Sequence, residues 1–243
     1  SFLRKDHPLI AQRLRQAAKK YTKVSLLSVT ADDQLIDLHE SLAVAPSQLA
    51  RALAAIVKAA AGLKGAAVPA GLEGVSPDEA SKKIAGSLVD GEKSAIFLGN
   101  VVTQSDDATQ LHALALELGK LTGATVGFLG EAANVVGGHV AGALPSGDNA
   151  SQMFLQPRKA YVLMGIEPEL DCGNPQVAVA ALKQASLVVC MSAFKHAPAL
   201  EYADVMLPIA PFTETAGTFV NIEGRVQGFN GVVKARGDAR PAW

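Results

Sequence analysis

Short apolar runs alternate along most of the chain with longer segments in which apolar residues recur at helical spacing. Six runs bounded by turn residues predict buried strands at residues 24–29, 95–98, 124–129, 160–165, 187–191 and 205–208. Strands of this length that alternate with helices of 10–15 residues indicate βαβ units. We therefore expect an α/β fold with doubly wound, mostly parallel sheets.

Several helix ends carry local signals. Ser76-Pro77-Asp78-Glu79 matches a capping box, which predicts Ser76 as the N-cap of the next helix. Asn174 followed by proline predicts a helix that runs to about residue 184. Earlier in the chain, Gly123 is expected to end the long helix that precedes it.

Residues 130–158 are rich in Gly, Asn, Ser and Pro and show no clear period, which indicates a domain boundary. We predict one α/β domain over residues 1–155 that lacks its first strand, because a helix opens the chain with no strand before it. Residues 156–243 are predicted to be the second half of another α/β domain. On this interpretation the sequence is a central piece of a longer polypeptide, truncated at both ends.

Composition narrows the class of protein. The chain has 22 basic and 23 acidic residues and a net charge of -1, which disfavours nucleic acid as a partner. Two cysteines cannot form a disulfide framework and suit a reducing, cytoplasmic compartment. No apolar run reaches 18 residues, so we expect no direct insertion into a membrane.

The sequence contains no phosphate-binding loop, nucleophile elbow or metal-binding pattern of the common kinds. Polar side chains are instead concentrated near the end of the chain, at Thr218, Asn221, Glu223 and Arg225. In a doubly wound sheet such groups line the ligand crevice at the strand ends. Alternatively, they satisfy one another at a domain junction. The residues alone leave both interpretations open.

The same stretch carries a family signature. ADVMLPIAPFTETAGTFVNIEGRVQ, residues 203–227, resembles the ADVVLP…E…GTF.N.EGR.Q block of the molybdopterin oxidoreductase family. Asp6-His7-Pro8 and the MGIEP run at residues 164–168 are similar to further family segments in the same order. A glycine-rich segment also resembles the family, through Asn134, Gly137, Gly142 and Leu144-Pro145.

Within this family, residues 223–243 are most similar to the G-subunit family of bacterial NADH-quinone oxidoreductases, the respiratory complex I. That resemblance implies a scaffold segment without catalytic, cofactor-binding or metal-binding residues of its own. The iron-sulfur clusters would be held upstream in the parent chain, and molybdopterin would be absent. It also implies peripheral-arm subunits of the complex as partners and a location on the inner face of the plasma membrane. Glu214, Glu223 and Arg225 would then be buried pairing groups.

Two alternatives remain. In a molybdopterin-guanine-dinucleotide-dependent oxidoreductase, Gly165, Thr218, Asn221 and Arg225 would contact the cofactor. Glu167 stands where cofactor-binding relatives carry Asn, and an ionised carboxylate would repel a pyrophosphate by about 1 kcal/mol or more. No Cys or Ser can be assigned as a molybdenum ligand. The third interpretation is a regulatory module that binds a nucleotide in the same crevice.

Overall fold

A computed structural model describes residues 2–243, and it confirms an α/β fold with small, mostly parallel sheets. Contacts between Cα atoms divide the chain into two compact units, one that ends at Ala133 and one from Asn134 to Trp243. The division falls inside the predicted boundary segment, 130–158, but well before residue 155. Asn134 and the helix at residues 150–155 pack with later elements, which places residues 134–155 in the second unit.

The first unit contains two parallel two-stranded sheets. Strands β1 (Ser25–Ser28) and β2 (Glu40–Ala43) form one sheet, and β3 (Ala95–Leu98) and β4 (Thr125–Phe128) form the other. Its helices are α1 (Leu3–Asp6), α2 (Pro8–Ala18), α3 (Leu49–Lys64), α4 (Glu79–Val89), α5 (Asn100–Thr103) and α6 (Ala108–Thr122), with a 3-10 turn at Pro46–Gln48.

The core of this unit lies on α3, α4 and α6. Ala residues such as Ala54 and Ala60 let α3 pack closely against both neighbouring helices. Leu27 of β1 and Ile96 of β3 pack against the same helical cluster. Both sheets of the first unit therefore rest on one continuous apolar layer.

Helix ends in this unit follow local chemistry, with one correction. The capping-box pattern predicted Ser76 as the N-cap of α4, and this prediction is wrong. Asp78 is the N-cap, and its carboxylate accepts the Ser81 N–H at 2.7 Å. The carboxylate therefore takes the capping role that the sequence assigned to Ser76. Gly123 ends α6 as predicted, with φ of 78°, a conformation that glycine adopts at little cost.

The second unit contains one parallel sheet and one antiparallel hairpin. Strands β5 (Ala160–Met164), β6 (Leu187–Ser192) and β7 (Val205–Pro208) form the sheet in the order β5-β6-β7. The hairpin pairs β8 (Gly217–Val220) with β9 (Val226–Phe229). The helices are α7 (Val135–Val140), α8 (Ala150–Leu155), α9 (Pro168–Asp171) and α10 (Pro175–Gln184), with a 3-10 turn at Pro198–Glu201.

One face of the β5–β7 sheet is buried and the other is exposed. Tyr161, Leu163, Val188 and Cys190 point into a core with α10, and Cys190 is only 3% exposed. On the opposite face Val162 is 67% exposed. Parallel sheets are usually covered on both faces, and their strands are therefore apolar throughout. The strands of this sheet have that apolar composition, although one face is exposed to water.

Candidate functional site

The candidate site was predicted at the carboxyl end of β5 and in the segment after β7. The chain leaves β5 through Gly165, whose φ of 63° is in the left-handed region. The Gly165 N–H donates to the Met191 carbonyl at 2.8 Å and prolongs the pairing with β6. Glycine is needed here because other residues adopt this conformation only with strain. The turn directs the chain into α9.

Three acidic residues follow this turn within five positions. Glu167 is the half-buried N-cap of α9, and its N–H donates to an Asp171 carboxylate oxygen at 2.7 Å. Glu169 lies between them. None of the ion pairs between described residues includes Glu167, Glu169 or Asp171. None of these three carboxylates is therefore neutralised by an ion pair within the described residues.

Glu169 belongs to a solvent-shielded cluster that sequence reasoning missed. Both of its carboxyl oxygens are buried, as is the hydroxyl of Tyr202. Burial and the neighbouring Glu169 raise the pKa of Tyr202 well above its ordinary value. The only signal in the sequence was the repeated acidic residue in Glu167-Pro168-Glu169, which gives no indication of Tyr202.

The two thiols lie close to the same acidic segment. Burial, then the Glu169 carboxylate, raises the pKa of the Cys190 thiol. Burial raises the pKa of Cys172 as well, with Asp171 and Glu169 contributing. An ordinary thiol is already mostly protonated at pH 7, so both cysteines remain thiols there. Since the thiolate is the nucleophile and the metal ligand, neither cysteine is activated for such chemistry.

The other predicted residues lie in the β8–β9 hairpin. Asn221 shapes its turn, because its side-chain oxygen accepts the N–H groups of Glu223 and Arg225, each at 3.0 Å. Thr218, Glu223 and Arg225 are exposed. Asn221 therefore uses its side-chain oxygen to hold the turn, and Arg225 extends into solvent.

A hydrogen bond within the second unit fixes this hairpin to α7. Asn134, the N-cap residue of α7, accepts the Val220 N–H through its side-chain oxygen at 2.8 Å. The α7 backbone carries Gly137 against the Asn134 side chain, where a Cβ atom would collide with it. The glycine-rich segment singled out in the sequence therefore has a structural role, because Gly137 leaves room for the Asn134 side chain.

The predicted residues lie on two different elements of the second unit. Gly165 and Glu167 belong to the β5 end, whereas Thr218, Asn221 and Arg225 belong to a separate hairpin. In the part of the chain that the structure describes, no hydrogen bond or ion pair links the two groups.

The expectation that Glu214, Glu223 and Arg225 form buried pairs is wrong. Glu223 and Arg225 lie in the turn of a two-stranded hairpin, where water reaches both side chains. Arg225 takes part in none of the ion pairs that the described residues form. Glu214 is half-buried, but its carboxylate accepts the Arg236 backbone N–H at 3.1 Å.

The described residues offer neither a metal site nor a membrane span. Within residues 2–243, no group of three or more His, Cys, Asp or Glu side chains is placed to hold a metal ion. Over the same residues, none of the helices has both the length and the apolar character required to cross a bilayer.

Comparisons with known proteins identify the family of the sequence. The model of the molybdopterin oxidoreductase family matches residues 3–243. The G subunit of the NADH-quinone oxidoreductase of Mycobacterium bovis is 43% identical over 70 residues, which are 29% of this chain and 8% of that protein. A putative formate dehydrogenase of Staphylococcus haemolyticus is 35% identical over 85 residues, 35% of this chain and 8% of that protein.

A solved structure gives the same picture of the fold. The formyltransferase/hydrolase complex of Methylorubrum extorquens, determined with methylofuran, matches with a TM-score of 0.63. The match covers 98% of this chain and 68% of the other, at 14% sequence identity. At that identity the likeness concerns the fold alone.

Proposed function

The chain belongs to the molybdopterin oxidoreductase family, and from this premise we propose that it is a non-catalytic scaffold segment of the G subunit of an NADH:quinone oxidoreductase. It supports the arm in which electrons pass from NADH to quinone through iron-sulfur clusters held elsewhere in the parent polypeptide. Its partners are other peripheral-arm subunits, on the inner face of the plasma membrane.

The acidic end of β5 is the observation that carries this proposal. Molybdopterin members of the family bind a dinucleotide whose pyrophosphate is anionic, and Glu167 and Asp171 would meet it with like charge, whereas the Glu169 carboxylate is buried. Two unit charges 4 Å apart repel by about 1 kcal/mol even in bulk water, and by more near a protein surface. The residues present do not fit the cofactor, because Arg225 is exposed in a separate turn and balances none of this charge.

The similarity to named relatives supports the same choice. The G subunits of Mycobacterium bovis and of Streptomyces coelicolor are 43% and 40% identical over their matched segments. Each of these segments is less than a tenth of the relative's length, so the role of the whole relative comes to this chain as part of the proposal.

The alternative is the cofactor-binding segment of a molybdopterin-guanine-dinucleotide-dependent oxidoreductase. One observation favours it: the relatives named formate dehydrogenase and nitrate reductase match a slightly longer segment, 85 residues. On this alternative Gly165, Thr218, Asn221 and Arg225 touch the dinucleotide, and Glu167 is a tolerated departure.

The deciding experiment uses the native assembly. The polypeptide that contains this chain is purified from its own cells with its partners, and molybdenum, pterin and iron are measured per polypeptide. We expect iron and NADH-dependent quinone reduction to co-purify with the chain, without molybdenum or pterin above background. Stoichiometric molybdenum and pterin would overturn the proposal in favour of the alternative.

A single substitution separates the two functions further. Glu167→Asn removes the charge and supplies the amide that cofactor-binding relatives carry. If the segment is a scaffold, the variant assembly has unchanged pterin content and unchanged quinone reduction. If the segment binds cofactor, the variant retains more pterin than the native assembly. Asp106→Asn, which neutralises an exposed carboxylate in the first unit, is the matched control for general charge effects.

A further inference from the structure

The chain leaves the β8–β9 hairpin through an Asn-Gly pair. Asn230 directly follows β9, and Gly231 comes next. Both residues are exposed to solvent. Among the asparagines of the sequence, Asn230 alone is followed by glycine. The pair therefore differs from every other asparagine of the chain in the group on its carboxyl side.

This order of residues allows a reaction within the chain. The backbone nitrogen of Gly231 loses its proton to water or hydroxide and attacks the side-chain carbonyl carbon of Asn230. The new nitrogen–carbon bond closes a succinimide ring, the bond from that carbon to the side-chain nitrogen breaks, and this nitrogen takes up a proton and leaves as ammonia. Glycine has no side chain to hinder the approach, so ring closure is favoured here.

Neither reacting group is held by a hydrogen bond within residues 2–243. The Gly231 N–H donates to no acceptor there, and the Asn230 amide has no partner there either. The other asparagines of the second unit all use their side-chain oxygen to accept a backbone N–H. They are Asn134, Asn149, Asn174 and Asn221. In this unit Asn230 is therefore the asparagine whose side chain is available for reaction.

Packing requires glycine at the attacking position. A Cβ atom on Gly231 would lie 2.8 Å from the carbonyl carbon of Glu214 and 2.9 Å from the backbone nitrogen of Thr215. These are backbone atoms, which cannot move aside as the end of a flexible side chain can. The next residue, Val232, donates its N–H to the Thr213 carbonyl at 2.7 Å. The segment after Asn230 therefore lies against the turn at residues 211–215.

We propose that Asn230-Gly231 is a site of spontaneous deamidation, a covalent modification of the folded chain whose co-reactant is water. Water opens the succinimide at one of two bonds. Cleavage between the Gly231 nitrogen and the side-chain carbon gives aspartate, and cleavage between that nitrogen and the main-chain carbon gives isoaspartate. Each conversion consumes one water and releases one ammonia, and nothing is oxidised or reduced.

Both products alter the contact with the turn at residues 211–215. Each places a carboxylate where a neutral amide was, next to the glycine that packs on Glu214. Isoaspartate also routes the main chain through the side-chain carbon atoms and lengthens it by one atom. The bond from Val232 to Thr213 cannot then be kept with Gly231 in its present position. The modification therefore loosens residues 230–233 from the turn.

Ageing of the native assembly tests the site. The assembly is incubated for several days at neutral and at alkaline pH. Peptide mass spectrometry then detects the replacement of NH2 by OH, and an isoaspartate methyltransferase labels the second product. Asn230 should convert at least about tenfold faster than Asn221, whose oxygen is bound and whose successor, Ile222, is β-branched. Conversion should accelerate with pH, because the attacking nitrogen must first lose its proton.

Asn230→Gln is the matched variant. It keeps an exposed amide, but the longer side chain closes a larger ring, so its conversion should be at least about tenfold slower. Hydrogen exchange at the Val232 amide reports the structural effect. Loss of the bond to Thr213 should speed this exchange about fivefold in the converted fraction of the aged native chain. Aged Asn230→Gln should exchange at the rate of the fresh protein.

Three results would overturn the proposal. One is an Asn230 that stays intact in the folded assembly but converts in urea, which would show that the fold protects it. Another is equal conversion at Asn221 and Asn230, which would indicate general ageing of the protein. The last is full conversion with unchanged exchange at Val232, which would show that the modification does not loosen this segment.

Discussion

Arg225 and Asn221 lie in the same turn but differ in what they contribute to it. The Arg225 guanidinium is in solvent, whereas the Asn221 side chain accepts two backbone N–H groups. We expect Arg225→Ala to change the free energy of unfolding by less than about 0.5 kcal/mol. Asn221→Ala should cost about 1–2 kcal/mol, because it leaves turn donors without an acceptor. Urea unfolding of both variants measures the difference, and equal losses would contradict this account of the turn.

Asp78 links the stability of α4 to pH. Its contact with the Ser81 hydroxyl and the hydrogen bond from the Ser81 N–H lower the pKa of the carboxyl below its ordinary value. The stabilisation is therefore fully present above the unfolded pKa, near 3.9, and is lost as the pH falls through the folded value.

Two variants at Asp78 test this account. Asp78→Ala should cost about 1 kcal/mol at pH 7. Asp78→Asn keeps the cap but removes the titration, so its unfolding free energy should fall less than that of the native chain between about pH 5 and pH 3. Thermal unfolding across this range is the measurement, and identical pH profiles for the native chain and Asp78→Asn would count against the cap as the source.

At the scale of elements, α7 shows how a glycine can hold another residue in place. A Cβ on Gly137 would collide with the Asn134 side chain, which holds the Val220 N–H of β8. We expect Gly137→Ala to cost about 1–3 kcal/mol and to speed hydrogen exchange at the Val220 amide. Gly138→Ala is the control. Its Cβ would meet nothing within 4 Å, so it should be neutral or stabilise the helix by up to about 1 kcal/mol.

Helix α6 offers a direct test of where the first core lies. Leu111 is 1% exposed and packs in the helical layer, whereas Leu116 on the same helix is 44% exposed. Leu111→Ala should destabilise the first unit by about 2–5 kcal/mol because it leaves a cavity in a packed core. Leu116→Ala should cost less than about 1 kcal/mol. Comparable losses in chemical unfolding would show that α6 is not packed as described.

The elements that the sequence predicted well have strong local signals. The apolar runs of β3, β6 and β7 and the Asn174 cap of α10 depend on neighbours within a few residues, and all were placed correctly. Strand β2, Glu40–Ala43, was missed because only alternate residues are partly buried and two of its four are polar. Helices α7 and α8 were missed because each has only six residues and their segment, 130–158, is rich in Gly, Asn, Ser and Pro and shows no clear period.

The candidate site was less accessible to sequence reasoning, for a physical reason. The hydrogen bond from the Val220 N–H to the Asn134 side chain joins residues 86 positions apart, and no local sequence pattern predicts such a pair. The density of polar groups at residues 218–225 was correctly noted, but their partners were not. Asn221 binds its own turn and Arg225 faces water, an outcome that depends on the hairpin geometry and not on residue type.

On the scale of the whole molecule, both cysteines of the chain, Cys172 and Cys190, fall in the second unit. Cys190 is enclosed in the core and Cys172 is half-buried, so an aromatic disulfide reagent should label Cys172 first. In a Cys172→Ser variant, labelling of Cys190 requires local opening, and its rate in rising urea follows the opening of residues 134–243. Labelling of Cys190 as fast as that of a free thiol would contradict its burial.

Because both thiols lie in the second unit, the colour released by the reagent reports local opening of that unit alone. The first unit contributes no signal to this measurement. Paired with far-ultraviolet circular dichroism, which responds to both halves, the reagent resolves whether the two units melt together or in succession. If labelling and circular dichroism show the same transition, the two units unfold as one cooperative block. If the two transitions are separate, each unit has a stability of its own.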